Sequence, residues 1–173
     1  MTDSTSFSKA MAPVCLHFLE AMARMQHVPS VFMLKMGRAW TPQPLPAWVP
    51  PGPKRQCYQN AGNLAIENIG LTYVEGYAQP PGLPPVHHAW CVDSEGRVID
   101  NTFDDPEDAQ YYGVPLTPQT LRELVETVKC WGLFAEMMSA ETLLRAVDDV
   151  QASAYAVDAG AADAVRALIK QHA

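Results

Sequence analysis

The sequence predicts an α+β fold in which an antiparallel sheet is packed against helices. Three observations lead there. Two β-like runs, residues 86–92 and 97–103, flank Ser94-Glu95-Gly96, and a short glycine-containing connection between such runs is a hairpin signal. Apolar residues recur at three- and four-residue steps both before and after that middle section, as amphipathic helices require. Helices segregated from hairpin-connected strands define the α+β class.

The elements follow in order. Phe7, Met11, Val14, Cys15, Phe18, Leu19, Met22 and Met25 form a helical stripe over residues 7–27, with Pro13 suited to a first turn. Residues 31–36 form a short helix stopped by Gly37. Six prolines between 42 and 53 allow only an extended segment. The interleaved Trp40, Leu45, Trp48 and Val49 predict that it wraps the domain and docks its rings. Residues 57–68 read as a helix ended by Gly70, and 71–78 alternate as a strand. After the hairpin, residues 104–118 read as loop, with Tyr111-Tyr112-Gly113 either lining a cleft or capping the core. Residues 117–129 read as a helix capped by Thr117, 131–138 as strand or helix, and 140–149 and 161–172 as helices. The methionines at 11, 22, 25, 33 and 36 have helical spacing and read as core filler.

The 173 residues suit one domain, with residues 1–54 as a helical and proline-rich wrap, 55–116 as a core and 117–173 as C-terminal helices. With 48% hydrophobic and 18% charged residues the chain can build a core, which excludes overall disorder. Nineteen acidic residues against twelve basic ones give a net charge of −7, and the densest basic spot is the pair Lys54-Arg55. That balance excludes a phosphate-backbone stripe, so no nucleic-acid partner is expected. No run approaches the roughly 20 apolar residues of a membrane span, and the N-terminus lacks a basic region followed by an apolar block. A cytoplasmic setting is expected. Cys15, Cys57, Cys91 and Cys130 are widely spaced, which predicts free thiols rather than a disulfide framework.

The chemistry concentrates in Cys57, His88 and Asp100. Cys57 stands at a predicted helix start directly after Lys54-Arg55-Gln56. A helix N-terminus and nearby cations both favour a thiolate, the nucleophilic form. If Asp93 faces Arg97 across a three-residue loop, Asp100 pairs with Trp90 and Thr102 with His88. His88 and Asp100 are then diagonal neighbours on one sheet face, close enough for long side chains to meet. Asp100 would orient the His88 ring, and His88 would take the Cys57 proton, the nucleophile–base–orienter arrangement of acyl transfer. That shared face is expected to look toward the Cys57 helix. His87 and Asn101 are the rivals for base and orienter, and the register turns both to the other face. Gln56, Gln59 and Asn60 are candidates to help bind an oxyanion beside the Cys57 amide, and Trp90 is a candidate cleft residue.

Cysteine at a helix start, a strand, His88-Ala89-Trp90 on a second strand and Asp100-Asn101-Thr102 on a third resemble the transglutaminase-like core within the papain-like thiol enzymes. The resemblance covers roughly residues 55–103. Gln56 stands where that family often has tryptophan, and the interval from His88 to Asp100 is short for it. The resemblance implies a papain-like core, with Cys57 as nucleophile, His88 as general base and acid, and Asp100 as the orienting carboxylate. It implies thiol-dependent amide chemistry through a thioester, with a peptide or carboxamide substrate and no cofactor. Water as acceptor gives a peptidase or amidase, and an amine gives acyl transfer. The alternatives are an inactive binding module of the same fold and an N-acyltransferase fed by a carrier thioester.

No metal is expected. His87, His88, Cys91 and Cys57 lack the paired ligand spacing of a structural zinc site, and residues three apart on a strand face opposite ways. Residues 104–108 lack the order of a calcium loop. Cys91 is expected in the core on the reverse face of the sheet, and Cys15 and Cys130 are expected to pack.

Overall fold

A computed structural model describes residues 13–25, 27–134 and 139–173. Within them are six helices and one five-stranded sheet, the α+β arrangement expected. Helix α1 (Pro13–Arg24) is followed by α2 (Val28–Met36), strand β1 (Arg38–Trp40) and α3 (Cys57–Glu67). Strands β2 (Thr72–Gln79), β3 (Val86–Val92), β4 (Val98–Ile99) and β5 (Gln110–Leu116) come next. Helices α4 (Pro118–Val128), α5 (Ala140–Ala152) and α6 (Ala159–Gln171) close the chain. No helix among the described residues is long and apolar enough to cross a membrane.

The sheet is antiparallel, in the order β1-β5-β2-β3-β4. Its two edges also meet. Beyond β1, Thr41 donates to Gly96 O at 3.3 Å and accepts from Val98 N at 2.8 Å, so the sheet curls on itself at one end. Trp40, Val74, Trp90, Val98 and Tyr111 fill the inside of the curl. Two glycines allow the close approach here. Gly76 and Gly113 face each other across β2 and β5. A Cβ on Gly113 would stand 2.9 Å from the Trp90 ring, and one on Gly76 would stand 2.3 Å from Tyr112 O.

The helices cover the other face, over Tyr73, Ala89, Cys91, Ile99, Tyr112 and Val114. Here α3 lies across β3, with the Cys91 thiol donating to Ala61 O at 3.2 Å. The Thr117 hydroxyl caps α4, and Asp149 of α5 holds that same turn by accepting from Thr117 N and from the Thr117 and Thr120 hydroxyls. Gly37 does follow α2, but with an extended backbone (φ −87°) rather than a left-handed one. Glycine is needed there because a Cβ would meet Met33 O at 2.5 Å and the Tyr112 ring at 3.0 Å.

Several expectations need correction. Residues 104–118 are not all loop, because β5 is a central strand between β1 and β2. The strand expected over 97–103 ends at Ile99, since Asp100 turns the chain by accepting Thr102 N at 2.8 Å. The proline-rich segment is extended as predicted, but only part of it docks. Trp40 and Val49 are buried, whereas Trp48 is 58% exposed. Met33 and Met36 are core residues, but Met25 is 77% exposed. Cys130 does not pack; it is exposed and donates to Trp131 O at 3.0 Å. Phe7, Met11, the side chains of Val14 and Cys15, and residues 135–138 lie outside the described residues.

Candidate active site

The hairpin register sets the site. Cys91 pairs with Ile99 and Val92 with Val98, and Asp93 N donates to Arg97 O at 3.1 Å, so the loop is Ser94-Glu95-Gly96. Continued two residues, this register places His88 and Asp100 as diagonal neighbours. They meet inside the protein, His88 Nε2 to Asp100 Oδ2 at 2.7 Å, with side chains 3% and 1% exposed.

Asp100 accepts more than this bond. Tyr111 OH reaches the same oxygen at 2.9 Å, and Thr102 N and Phe103 N donate to the other at 2.8 and 3.4 Å. Burial works against its charge, but the His88 charge and these donors outweigh it and hold the carboxyl below its usual range. Burial would likewise lower the His88 pKa. The Asp100 charge and hydrogen bond, with a smaller contribution from Cys57, raise it instead to about 9. The imidazole is therefore charged at neutral pH. Its ring lies flat on Phe103, with centroids 4.1 Å apart and planes 12° apart.

The Cys57 side chain lies beside His88 and adds to the upward shift of its pKa. With Nε2 engaged by Asp100, Nδ1 is the ring nitrogen left for the thiol. This contact is made in a way that differs from expectation. His88 and Asp100 do share a face, but it is the inside of the curl, whereas α3 packs on the outside over Ala89 and Cys91. Strand β4 is only two residues long. The first turn of α3 thus reaches past the end of the edge to the inner face.

The proline-rich segment fixes that reach. Gly52 N donates to Asn101 O at 2.6 Å, and Asn60 Nδ2 bridges Pro53 O and Thr102 Oγ1, each at 2.9 Å. Lys54 Nζ donates to Thr102 O at 3.0 Å and pairs with Asp104. The strap leading into Cys57 is thereby sewn to the turn that carries Asp100. Cys57 is the first residue of α3, and its N-cap Gln56 makes no side-chain capping bond. The first N–H groups of a helix have no partner within it. Cys57 and His88 line an open cleft of about 480 Å³ with Arg55, Tyr58, His87 and Phe103 among its walls.

The other sequence candidates fall elsewhere. Trp90 is fully buried behind His88, against Tyr111 at 4.9 Å, and does not line the cleft. Asn60 is committed to the strap. Gln56 and Gln59 are exposed and outside the cleft lining. Asn101 turns away toward Pro50 O at 3.5 Å. His87 reaches the cleft but is held by Tyr77, whose hydroxyl lies 2.8 Å from Nε2. Among the described residues no group of three His, Cys, Asp or Glu is placed to hold a metal ion.

Sequence reasoning misses Tyr111, which shares Asp100 with His88, because residues 104–118 read as loop. It also misses Glu75. This carboxylate is fully buried on the outer face and accepts Tyr73 OH and Leu133 N at 2.8 Å and Phe134 N at 2.5 Å. It anchors the loop whose Trp131 lies on α3 at Gly62. Burial pushes Glu75 up from 4.5 to about 7, with the two backbone amides and Tyr73 opposing. A carboxyl raised by folding stabilises the fold below its unfolded pKa and loses that contribution as pH rises through its folded one. Glu75 should therefore cost the protein stability, on the order of 3 kcal/mol, between pH 4.5 and 8. Urea unfolding of wild type and Glu75→Gln across that range checks this. The difference between them should drift in favour of the variant as pH rises, and a constant difference would refute the effect.

Comparison with protein-family models, with curated proteins and with solved structures gives no match to this chain.

Proposed function

We propose that this protein is a cysteine hydrolase or acyltransferase with a papain-like, transglutaminase-like core, acting on a peptide or carboxamide. The observation that carries the reading is that Cys57 and a charged His88 share one cleft, with His88 hydrogen-bonded behind it to an Asp100 that is closed to water. A buried structural cysteine needs neither a charged imidazole nor a cleft.

The steps follow from the atoms. In the reactive pair His88 Nδ1 already holds the proton and Cys57 is the thiolate, whose Sγ attacks the substrate carbonyl carbon. The carbonyl electrons move to oxygen, which meets the unpartnered N–H groups at the start of α3. When the tetrahedral species collapses, the C–N bond breaks and His88 returns its proton to the leaving amine. A thioester remains on Cys57. Water, or an amine, then attacks it, giving a proton to His88 as the C–S bond breaks, and the starting state is restored. Asp100 stays ionised throughout and holds the ring for both halves. Hydrolysis needs only water and is the simpler outcome.

Alkylation with iodoacetamide at pH 6, mapped by mass spectrometry, tests the reading. Cys57 should be labelled at least about tenfold faster than Cys130, which is more exposed but has no imidazolium beside it. Buried Cys91, whose thiol burial pushes up strongly, should stay unlabelled. Slow labelling of Cys57 at or below the rate of Cys130 would leave an inert binding module.

A further inference from the structure

We infer that the cleft selects an acyl donor carrying a carboxylate near the attacked carbonyl, and that Arg55 recognises it. This rests on the proposed function and specifies its substrate class.

Three independent observations meet at Arg55. It lines the cleft two residues before Cys57, and no ion pair or hydrogen bond engages its guanidinium among the described residues. Its neighbour Lys54 is consumed by Asp104 and Thr102 O. Among the described residues Asp104 is the only acid lining the cleft, and Lys54 pairs with it; His88 is balanced by Asp100. A protein of net charge −7 thus presents, beside its proposed nucleophile, a guanidinium that no acid among the described residues engages.

The backbone adds the third observation. Arg55 has φ 65°, in the left-handed region that a residue with a Cβ rarely adopts. Glycine or asparagine would relieve this turn at no cost to the strap, whose bonds are made by residues 52, 54 and 60. A bulky residue kept in an unfavourable conformation at a cleft is expected where its side chain has work to do. The chemistry of that side chain names the ligand. A guanidinium presents a planar fork of donors that matches a carboxylate two-to-two, and nearby Tyr58 and Phe103 partly shelter such a pair from water.

The test needs no substrate. Iodoacetate and iodoacetamide deliver the same carbon to a thiolate and differ by a carboxylate. Their rate ratio is measured at Cys57, with Cys130 of the same chain as reference, in low salt at pH 6.5. The ratio at Cys57 should exceed that at Cys130. The His88 charge contributes to this, so the decisive comparison is the variant. Arg55→Gln should lower the Cys57 ratio about fivefold, the size of one exposed ion pair, while Arg55→Lys should keep part of it. In wild type, 0.5 M salt should lower the ratio in the same direction. Succinate should protect Cys57 from iodoacetamide better than inorganic phosphate does. An Arg55→Gln ratio equal to wild type overturns the role of Arg55 and leaves the thiol mechanism standing. Better protection by phosphate overturns the carboxylate. Failure of both reagents to single out Cys57 removes the mechanism itself and the inference with it.

Discussion

Replacing Asp100 with alanine is expected to destabilise the protein by about 3–5 kcal/mol, the usual cost of removing one partner from a buried charged pair. The cause is what remains. A charged His88 would be left almost fully buried, and Tyr111 OH, Thr102 N and Phe103 N would lose their acceptor. Urea denaturation near pH 6 should show the loss as a lower midpoint, and a change under about 1 kcal/mol would contradict the buried pair. Asp100→Asn separates charge from shape. It can still accept hydrogen bonds but supplies no negative charge, so burial acts on His88 opposed only by the smaller Cys57 contribution. The His88 pKa, followed by NMR, should fall from about 9 to below 6.5. The pH dependence of the wild-type pair has a fixed direction. The His88 contribution is fully present below pH 6.5 and is lost as pH rises through 9. The Asp100 contribution is present above pH 3.8 and is lost as pH falls beneath that value. The pair is most stabilising between these limits.

The largest kinetic effect is expected from His88→Ala. An ordinary cysteine ionises near 8.5, so about one in a thousand is thiolate at pH 5.5. Without an imidazole to take its proton, Cys57 should react with iodoacetamide at pH 5.5 about 100-fold more slowly than in wild type. His87→Ala should change that rate less than threefold, because His87 contacts Tyr77 rather than Asp100. If His87→Ala proved the damaging change, base and orienter would be wrongly assigned. Circular dichroism of both variants separates loss of reactivity from loss of fold.

The hairpin was legible because its information is local. Ser94-Glu95-Gly96 sets an odd loop, an odd loop sets the face, and the face brings His88 to Asp100. Strand β5 was hidden for the opposite reason. Asp104, Asp105 and Pro106 just before it and Gly113 and Pro115 within it are turn formers, and its strand character comes from neighbours remote in sequence. Pro115 is tolerated because β1 extends only to Gly113, leaving that side of β5 without a partner strand. Strand β1 is three residues between Gly37 and the proline segment, too short for alternation to show. The place of the Cys57 helix was half legible. Its cysteine, length and start could be read, but not that it lies on the outer face and reaches His88 around a two-residue strand. That depends on where β4 stops, which Asp100 decides with its own side chain.

The junction at Thr41 also governs the order in which the chain can assemble. Strands β2, β3 and β4 are neighbours in sequence and can pair as soon as they are made. Apart from the Thr41 bridge to Gly96 and Val98, β1 has no strand to pair with until residues 111–113 exist, because β5 stands between it and β2. Contacts that close such long loops form late, after their entropy cost can be offset by structure already in place. An incomplete chain ending before residue 110 therefore carries unpaired strand edges that invite other chains, and Trp40 has no wall to dock on. It also lacks the Tyr111 hydroxyl that completes the shell around Asp100. The closed sheet and the finished shell around Asp100 thus arrive together: a half-made molecule is sticky, and its charge pair stays under-supported until the last strand slides into the middle.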